Sequence, residues 1–246
     1  GTAVQGGGEF LSRPIPMISS GHPAVAFARG AFPLPPPDVG CEKDKNCSHG
    51  LLEEDLTYNP AGGLASFNLG VSDTHFSERD REARLALLTS ITGTRFGFGV
   101  DEATALLVHQ KPSGDAFLKV IGGDGVFIAD MQNSVFMRRL GKHQIAGISH
   151  FLNQGDMASY SSTTQEFKVF FNDDSRLLKD KTKVRMDSPG EFRQQVSNNC
   201  GTDDVHKWQW EGINFTIQPD NNTEFSKNES FGKARCSYSN LMFAIE

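Results

Sequence analysis

Apolar and polar positions change period along this chain, and the changes place its elements. In SERDREARLALLTSIT (77–92), Leu85, Leu88 and Ile91 recur at helical spacing with Arg and Glu on the other side, which predicts a helix. Ser77 with Asp80 three residues on has the spacing of a capping box, and Gly93 supplies the stop. Before it, a Gly-rich turn leads to a short strand at 67–72 that ends at Asp73-Thr74-His75. After it, 94–100 and 105–109 read as strands. The segments 116–121 and 126–129 flank GGDG and read as a hairpin. Another strand covers 145–151, with a polar turn at 153–156. The pattern weakens after about residue 165, until SNLMFAIE (239–246) reads as a final strand. Four prolines ahead of a charged run mark 32–56 as an exposed insertion, since proline continues neither a helix nor a central strand.

Composition narrows the class. The chain has 246 residues, 37% hydrophobic and 22% charged, enough for a packed core and one large domain or somewhat more. No run approaches the roughly 20 apolar residues that span a bilayer. The net charge of −6 argues against a nucleic-acid binder, which presents a basic face to phosphate. The start, GTAVQGGGEFLS, has neither Met nor a signal peptide and reads as that of a processed product or a fragment.

Four cysteines, Cys41, Cys47, Cys200 and Cys236, allow three pairings. Five residues separate Cys41 from Cys47, too many for a zinc knuckle, and His49 beside them sits in a polar loop; no metal and no cofactor is expected. Pairing neighbours, Cys41 with Cys47 and Cys200 with Cys236, would staple two loop-rich regions. Sequons fall at Asn46, Asn214, Asn221 and Asn228, three of them close together. Even cysteines and clustered sequons point to a secreted, oxidising setting, against a cytosolic protein with free thiols.

The chemically informative segment runs from Asp73 to Arg84. A histidine at a strand end just ahead of a helix stands where open α/β sheets place active sites, and it can serve as a general base near neutral pH. Arg79, Arg81 and Arg84 gather three cations, two of them on one helix face, a fork suited to a substrate carboxylate. The plainer alternative is a solvated helix on which Glu78, Asp80 and Glu82 pair with the arginines.

This segment resembles the cyanophycinase-like serine peptidases, whose corresponding stretch reads D-Q-H-F-x-x-R-x-R-x-x-R. The likeness continues in order. GFGVDEATALLV (97–108) resembles the family's G-I-D-E-D-T strand pair, KVIGGDGVFIAD (119–130) its V-I-G-x-G-x-V hairpin, and HFLNQGD (150–156) its V-H-G strand. GTAVQGG resembles the residues that follow the family's nucleophile in G-T-S-A-G-x-A-V. It covers about 1–10 and 57–160.

The resemblance implies an α/β fold: a three-layer α/β/α sandwich with a mostly parallel sheet and antiparallel C-terminal hairpins, present here as a partial domain. Residues 1–165 would be its C-terminal half, interrupted at 32–56, and 166–246 a glycosylated extension. It also implies hydrolysis of peptide bonds at aspartyl residues. His75 would be the base, and Asp73, Arg79, Arg81 and Arg84 the substrate pocket. A serine upstream of Gly1 would be the nucleophile. For the acidic third member Glu54 is taken, with Glu53 beside it and His22 as a competitor. Thr74 stands where cyanophycin-degrading members carry Gln. The partners implied are the peptide substrate and the chain's own N-terminal half as a separate chain, or neighbouring subunits; no nucleic acid and no membrane span. The rival reading is a secreted glycoprotein that keeps the peptidase fold as a structural or assembly module without activity. A third, an N-terminal nucleophile at Thr2, is opposed by Gly1, which blocks the Thr amine.

Overall fold

The computed structural model describes residues 8–10, 13–33, 51–52, 54–139, 142–172, 176–177, 190–230 and 233–246. Cys41, Cys47, Asn46 and Glu53, and most of the 32–56 insertion, lie outside them. A ribbon of β1 (Gly8–Phe10) and β2 (Arg13–Ile15) leads into β3 (Met17–Ser20), α1 (Pro23–Arg29), β4 (Ala31–Pro33) and β5 (Leu56–Asn59). Then come β6 (Val71–Thr74), α2 (Glu82–Ile91), β7 (Phe96–Val100), β8 (Thr104–Gln110), β9 (Ala116–Gly122), β10 (Val126–Arg139) and β11 (Lys142–Leu152). The rest is β12 (Met157–Ser161), β13 (Glu166–Phe170), β14 (Arg176–Leu177), α3 (Glu191–Asn198), β15 (His206–Trp210), β16 (Ile213–Gln218), β17 (Glu224–Ser230) and β18 (Lys233–Ile245).

Strands dominate, which corrects the expected three-layer α/β/α sandwich. The main sheet has nine strands in the order β14-β17-β18-β11-β10-β7-β6, with β16 also on β18 and β15 on β16. Within it only β6 and β7 are parallel among the described pairs. A parallel pair needs a crossover, and helix α2 supplies the one between β6 and β7. The strands β10 and β11, and β17 and β18, follow one another too closely for any crossover and so pair antiparallel.

The second departure is what covers the sheet. Helices α1, α2 and α3 contribute to the core on one face, with Leu85, Leu87, Leu88, Phe192 and Phe127 in a single cluster. The other face carries a second sheet, β13-β12-β9-β8, instead of helices. Strict alternation in β9 buries Ala116, Leu118 and Val120 against Phe96, Phe98 and Ile128 of the main sheet.

The strand β7 shows how sequence sets these layers. In FGFGV all five residues are buried, with the phenylalanines facing the second sheet. The glycines face α2. A Cβ on Gly97 would stand 2.7 Å from Thr89 Oγ1, and one on Gly99 would stand 2.2 Å from the Phe76 ring. Glycine here lets the helix and the turn after β6 approach the sheet.

Two local expectations also change. The segments 116–121 and 126–129 are strands but not a hairpin: β9 pairs with β8 and β12, while β10 pairs with β7 and β11. The GGDG stretch carries the chain from one sheet to the other. Helix α2 begins at Glu82, not at Ser77, which opens a separate 3-10 turn (Ser77–Arg79) closed by Asp80 in the left-handed region at φ 47°. Finally, the described strands of 166–246 enter both sheets: β13 pairs with β12 in the second, and β14 to β18 lie in the main one. Its strand β18 pairs along β11, and β16 and β17 flank β18.

Candidate functional site

Neighbouring parallel strands end at the same level, and the site forms where β6 and β7 end. Thr74 pairs with Val100, so the residues that follow each strand emerge side by side. His75 follows β6 in the left-handed region, with φ 46°, a conformation a non-glycine side chain adopts only when its surroundings impose it. Phe76 supplies the constraint: its ring is fully buried, lies against Gly99 and stacks on Phe127 at 5.3 Å between centroids.

His75 Nδ1 lies 2.8 Å from Glu102 Oε1, and both side chains are about half exposed, at 52% and 55%. A carboxylate only accepts, so the imidazole donates from Nδ1 and leaves Nε2 free to take a proton. The carboxylate on His75 is therefore Glu102, where the sequence reading took Glu54. The signal for Glu102 was present in the register: strand β7 ends at Val100, and Glu102 stands two residues beyond.

Two further ties join the turns. The Ser77 amide donates to Asp101 Oδ1 at 2.9 Å, and the Glu102 amide donates to Glu78 Oε1 at 3.0 Å. Asp101 is almost wholly buried, and burial pushes its carboxyl up to about 6 against the opposing Arg193 guanidinium. Glu82, completely buried beside Asp80 and Asp101, is raised well above the ordinary carboxyl range, chiefly by burial.

The three arginines separate. Arg84 is buried and grips Asp73 with two bonds, Nε to Oδ2 at 2.8 Å and Nη2 to Oδ1 at 2.6 Å; its Nη1 donates to the Gly21 carbonyl at 2.5 Å. Arg81 bonds Asp73 Oδ1 at 3.3 Å and the Thr74 carbonyl at 2.5 Å. Arg79 is exposed and makes no ion pair among the described residues. Asp73 and Arg84 thus form an internal strut.

Arg79 and Arg81 line a cleft of about 570 Å³ with Gly21, His22, Glu54, Trp210 and Glu211. Glu54 is exposed there, and its carbonyl accepts the His22 amide at 2.9 Å. His22 Nε2 stands 3.5 Å from Glu211. His75 and Glu102 are outside this lining.

Cys200 and Cys236 form a disulfide, as the neighbour pairing expected. Asn214 is exposed on β16 with its backbone paired to Glu246, Asn221 is exposed in a turn, and Asn228 lies on β17 opposite Arg235. Among the described residues no group of three His, Cys, Asp or Glu side chains is placed to hold a metal ion, and no helix is long and apolar enough to cross a membrane. No protein-family model matches the chain.

Proposed function

We propose that this chain supplies the general base of a serine-type hydrolase resembling the cyanophycinase-like peptidases and acting on peptide bonds at aspartyl residues. The observation that carries the reading is the hydrogen bond from His75 Nδ1 to Glu102 Oε1, made at the ends of two parallel strands. Glu102 fixes the tautomer and stabilises the imidazolium, while Nε2 takes the proton of the attacking hydroxyl and returns it to the leaving amine. Arg79, at the cleft and in no ion pair among the described residues, is a cation able to meet a substrate carboxylate.

The reading assigns the nucleophilic serine to an N-terminal half held along β6, whose outer edge carries no strand among the described residues. The Cys200–Cys236 disulfide and the exposed sequon residues Asn214 and Asn221 support an extracellular glycoprotein. A second reading, a module without catalysis, is favoured by the structural use of Asp73 and Arg84.

The test is fluorophosphonate labelling of this chain assembled with that half. Labelling is expected in the unmodified assembly and is lost in His75→Ala. Labelling of His75→Ala at the unmodified rate, or none in the unmodified assembly, overturns the enzyme reading in favour of the second.

A further inference from the structure

We infer that Arg193, on the C-terminal helix α3, is a positioning residue that sets the His75–Glu102 pair by holding Asp101 between the two turns that carry it. The inference rests on the hydrolase reading for the chemistry of the pair, but its geometry stands on contacts alone.

Asp101 faces both turns. Its backbone leads directly into Glu102, and its Oδ1 accepts the amide of Ser77, two residues after His75. Its other oxygen takes Arg193 Nη1 at 2.7 Å. A buried carboxylate with no counter-charge would protonate, and its bond from the Ser77 amide would lose the charge that strengthens it. Arg193 supplies that charge while only 5% exposed. Its own position is fixed from several sides: Nη1 also reaches Asp124 at 3.2 Å, Nη2 reaches Asn153 at 3.3 Å, and the guanidinium lies 4.3 Å over the Phe151 ring.

The helix bearing Arg193 is latched to the same turn independently. Asp80 Oδ1 accepts the amides of Glu191 and Phe192 at the start of α3, at 2.5 and 3.3 Å. Gly190 packs so close to the Ser77 carbonyl that a Cβ would stand 1.8 Å from it. The Phe192 ring meets Phe127 edge-on at 5.7 Å, and Phe127 stacks on Phe76. Helix α3 therefore touches the turn that follows His75 at its backbone, at its closing aspartate and through its aromatic anchor. Arg193 adds the only tie from α3 to Asp101 among the described hydrogen bonds and ion pairs.

An internal comparison separates positioning from plain stability. Arg95 and Asp130 form another bidentate, largely buried pair, with bonds of 3.0 and 2.7 Å. Arg95 sits just before β7, and Asp101 just after it, so five strand residues, roughly 17 Å of chain, lie between them. Removing either arginine should lower stability; only removal of Arg193 should disturb His75.

The readout is the tautomer of His75, measured on the full chain at a pH where the imidazole is neutral by long-range 1H–15N correlation. A solvated imidazole favours the proton on Nε2, and the bond to Glu102 holds it on Nδ1. The unmodified chain and Arg95→Gln should show the Nδ1–H form. Arg193→Gln should lose it in favour of Nε2–H, and Arg193→Lys, which keeps the charge, should restore it. If Arg193→Gln gives no cooperative melt, Asp101→Leu, which removes both carboxylate oxygens and with them the acceptor of the Ser77 amide, carries the test with the same expected loss. Retention of Nδ1–H in a folded Arg193→Gln or Asp101→Leu chain overturns the inference, as does an equal loss in Arg95→Gln. Fluorophosphonate labelling decides the hydrolase reading separately, so failure of one does not imitate failure of the other.

Discussion

Glu102 and His75 meet at 2.8 Å across 27 residues of chain because Thr74 and Val100, which end the two strands before them, are register partners. The pair sits half exposed on buried supports, with Phe76 below one residue and Asp101 beside the other. If this is a base and its orienting carboxylate, Glu102→Gln should slow fluorophosphonate labelling of the assembled protein by about 10²-fold or more, with the melting temperature little changed. Glu54→Gln should leave labelling within about 3-fold, since no hydrogen bond or ion pair joins Glu54 to His75 among the described residues.

The arginines should divide in the same way. Arg84→Gln leaves the buried Asp73 carboxylate without its main partner and should cost about 3–5 kcal/mol in chemical denaturation. Arg79→Gln should change stability by less than about 0.5 kcal/mol, as exposed side chains away from special contacts do. In an active assembly Arg79→Gln should raise KM for a carboxylate-bearing substrate more than it lowers kcat.

Gly99→Ala tests the close approach of the turn to the sheet. The added methyl would stand 2.2 Å from Phe76, whose ring is enclosed by Phe127 and cannot swing away. Destabilisation of about 1–3 kcal/mol is expected in denaturant titrations, with His75 more exposed to chemical modification as its anchor shifts.

Two buried groups should give opposing pH dependences. Burial raises Asp101 from its ordinary 3.8 to about 6 and lowers His150 from 6.5 to about 4. Between pH 4 and 6 the folded state holds a proton on Asp101 that the unfolded chain has released, so this group makes stability fall as pH rises. Over the same window the unfolded chain binds a proton on His150 that the folded state excludes, so this group makes stability rise. Each shift is worth about 3 kcal/mol. Asp101→Asn should therefore gain about 2 kcal/mol relative to the unmodified chain on going from pH 4 to pH 6, since each group is only half-titrated at one end of that window, and His150→Gln should lose a similar amount, both read by urea titration.

The Cys200–Cys236 bond joins residues 36 apart, just after α3, to the long strand β18, and both sulfurs are buried beside Phe225. Loop-closure entropy gives it about 4 kcal/mol of stabilisation. Cys200→Ser with Cys236→Ser should lower the denaturation free energy by that order, read by urea titration.

The residues themselves were enough to place a helix in 77–92, strands on either side of it and a histidine at a strand end, because those features are local. The spacing of Leu85 and Leu88, the alternation of Phe96 and Phe98 with glycine, and the Asp-Thr-His end of β6 all act within a few residues. The sequence also suggested the neighbour pairing of Cys200 with Cys236. It did not determine which strands meet. Alternation looks the same in a hairpin as in two strands that part to separate sheets, so 116–121 and 126–129 were misjoined, and with them the second layer of the fold. Nor could it show that Arg84 turns inward to Asp73 while Arg79 stays at the cleft, since three arginines in one motif are chemically alike until burial distinguishes them. Above all, Glu102 became the partner of His75 only through the parallel register of β6 and β7. Pairing between strands is a long-range choice made by the packing of whole faces, and no window of sequence contains it.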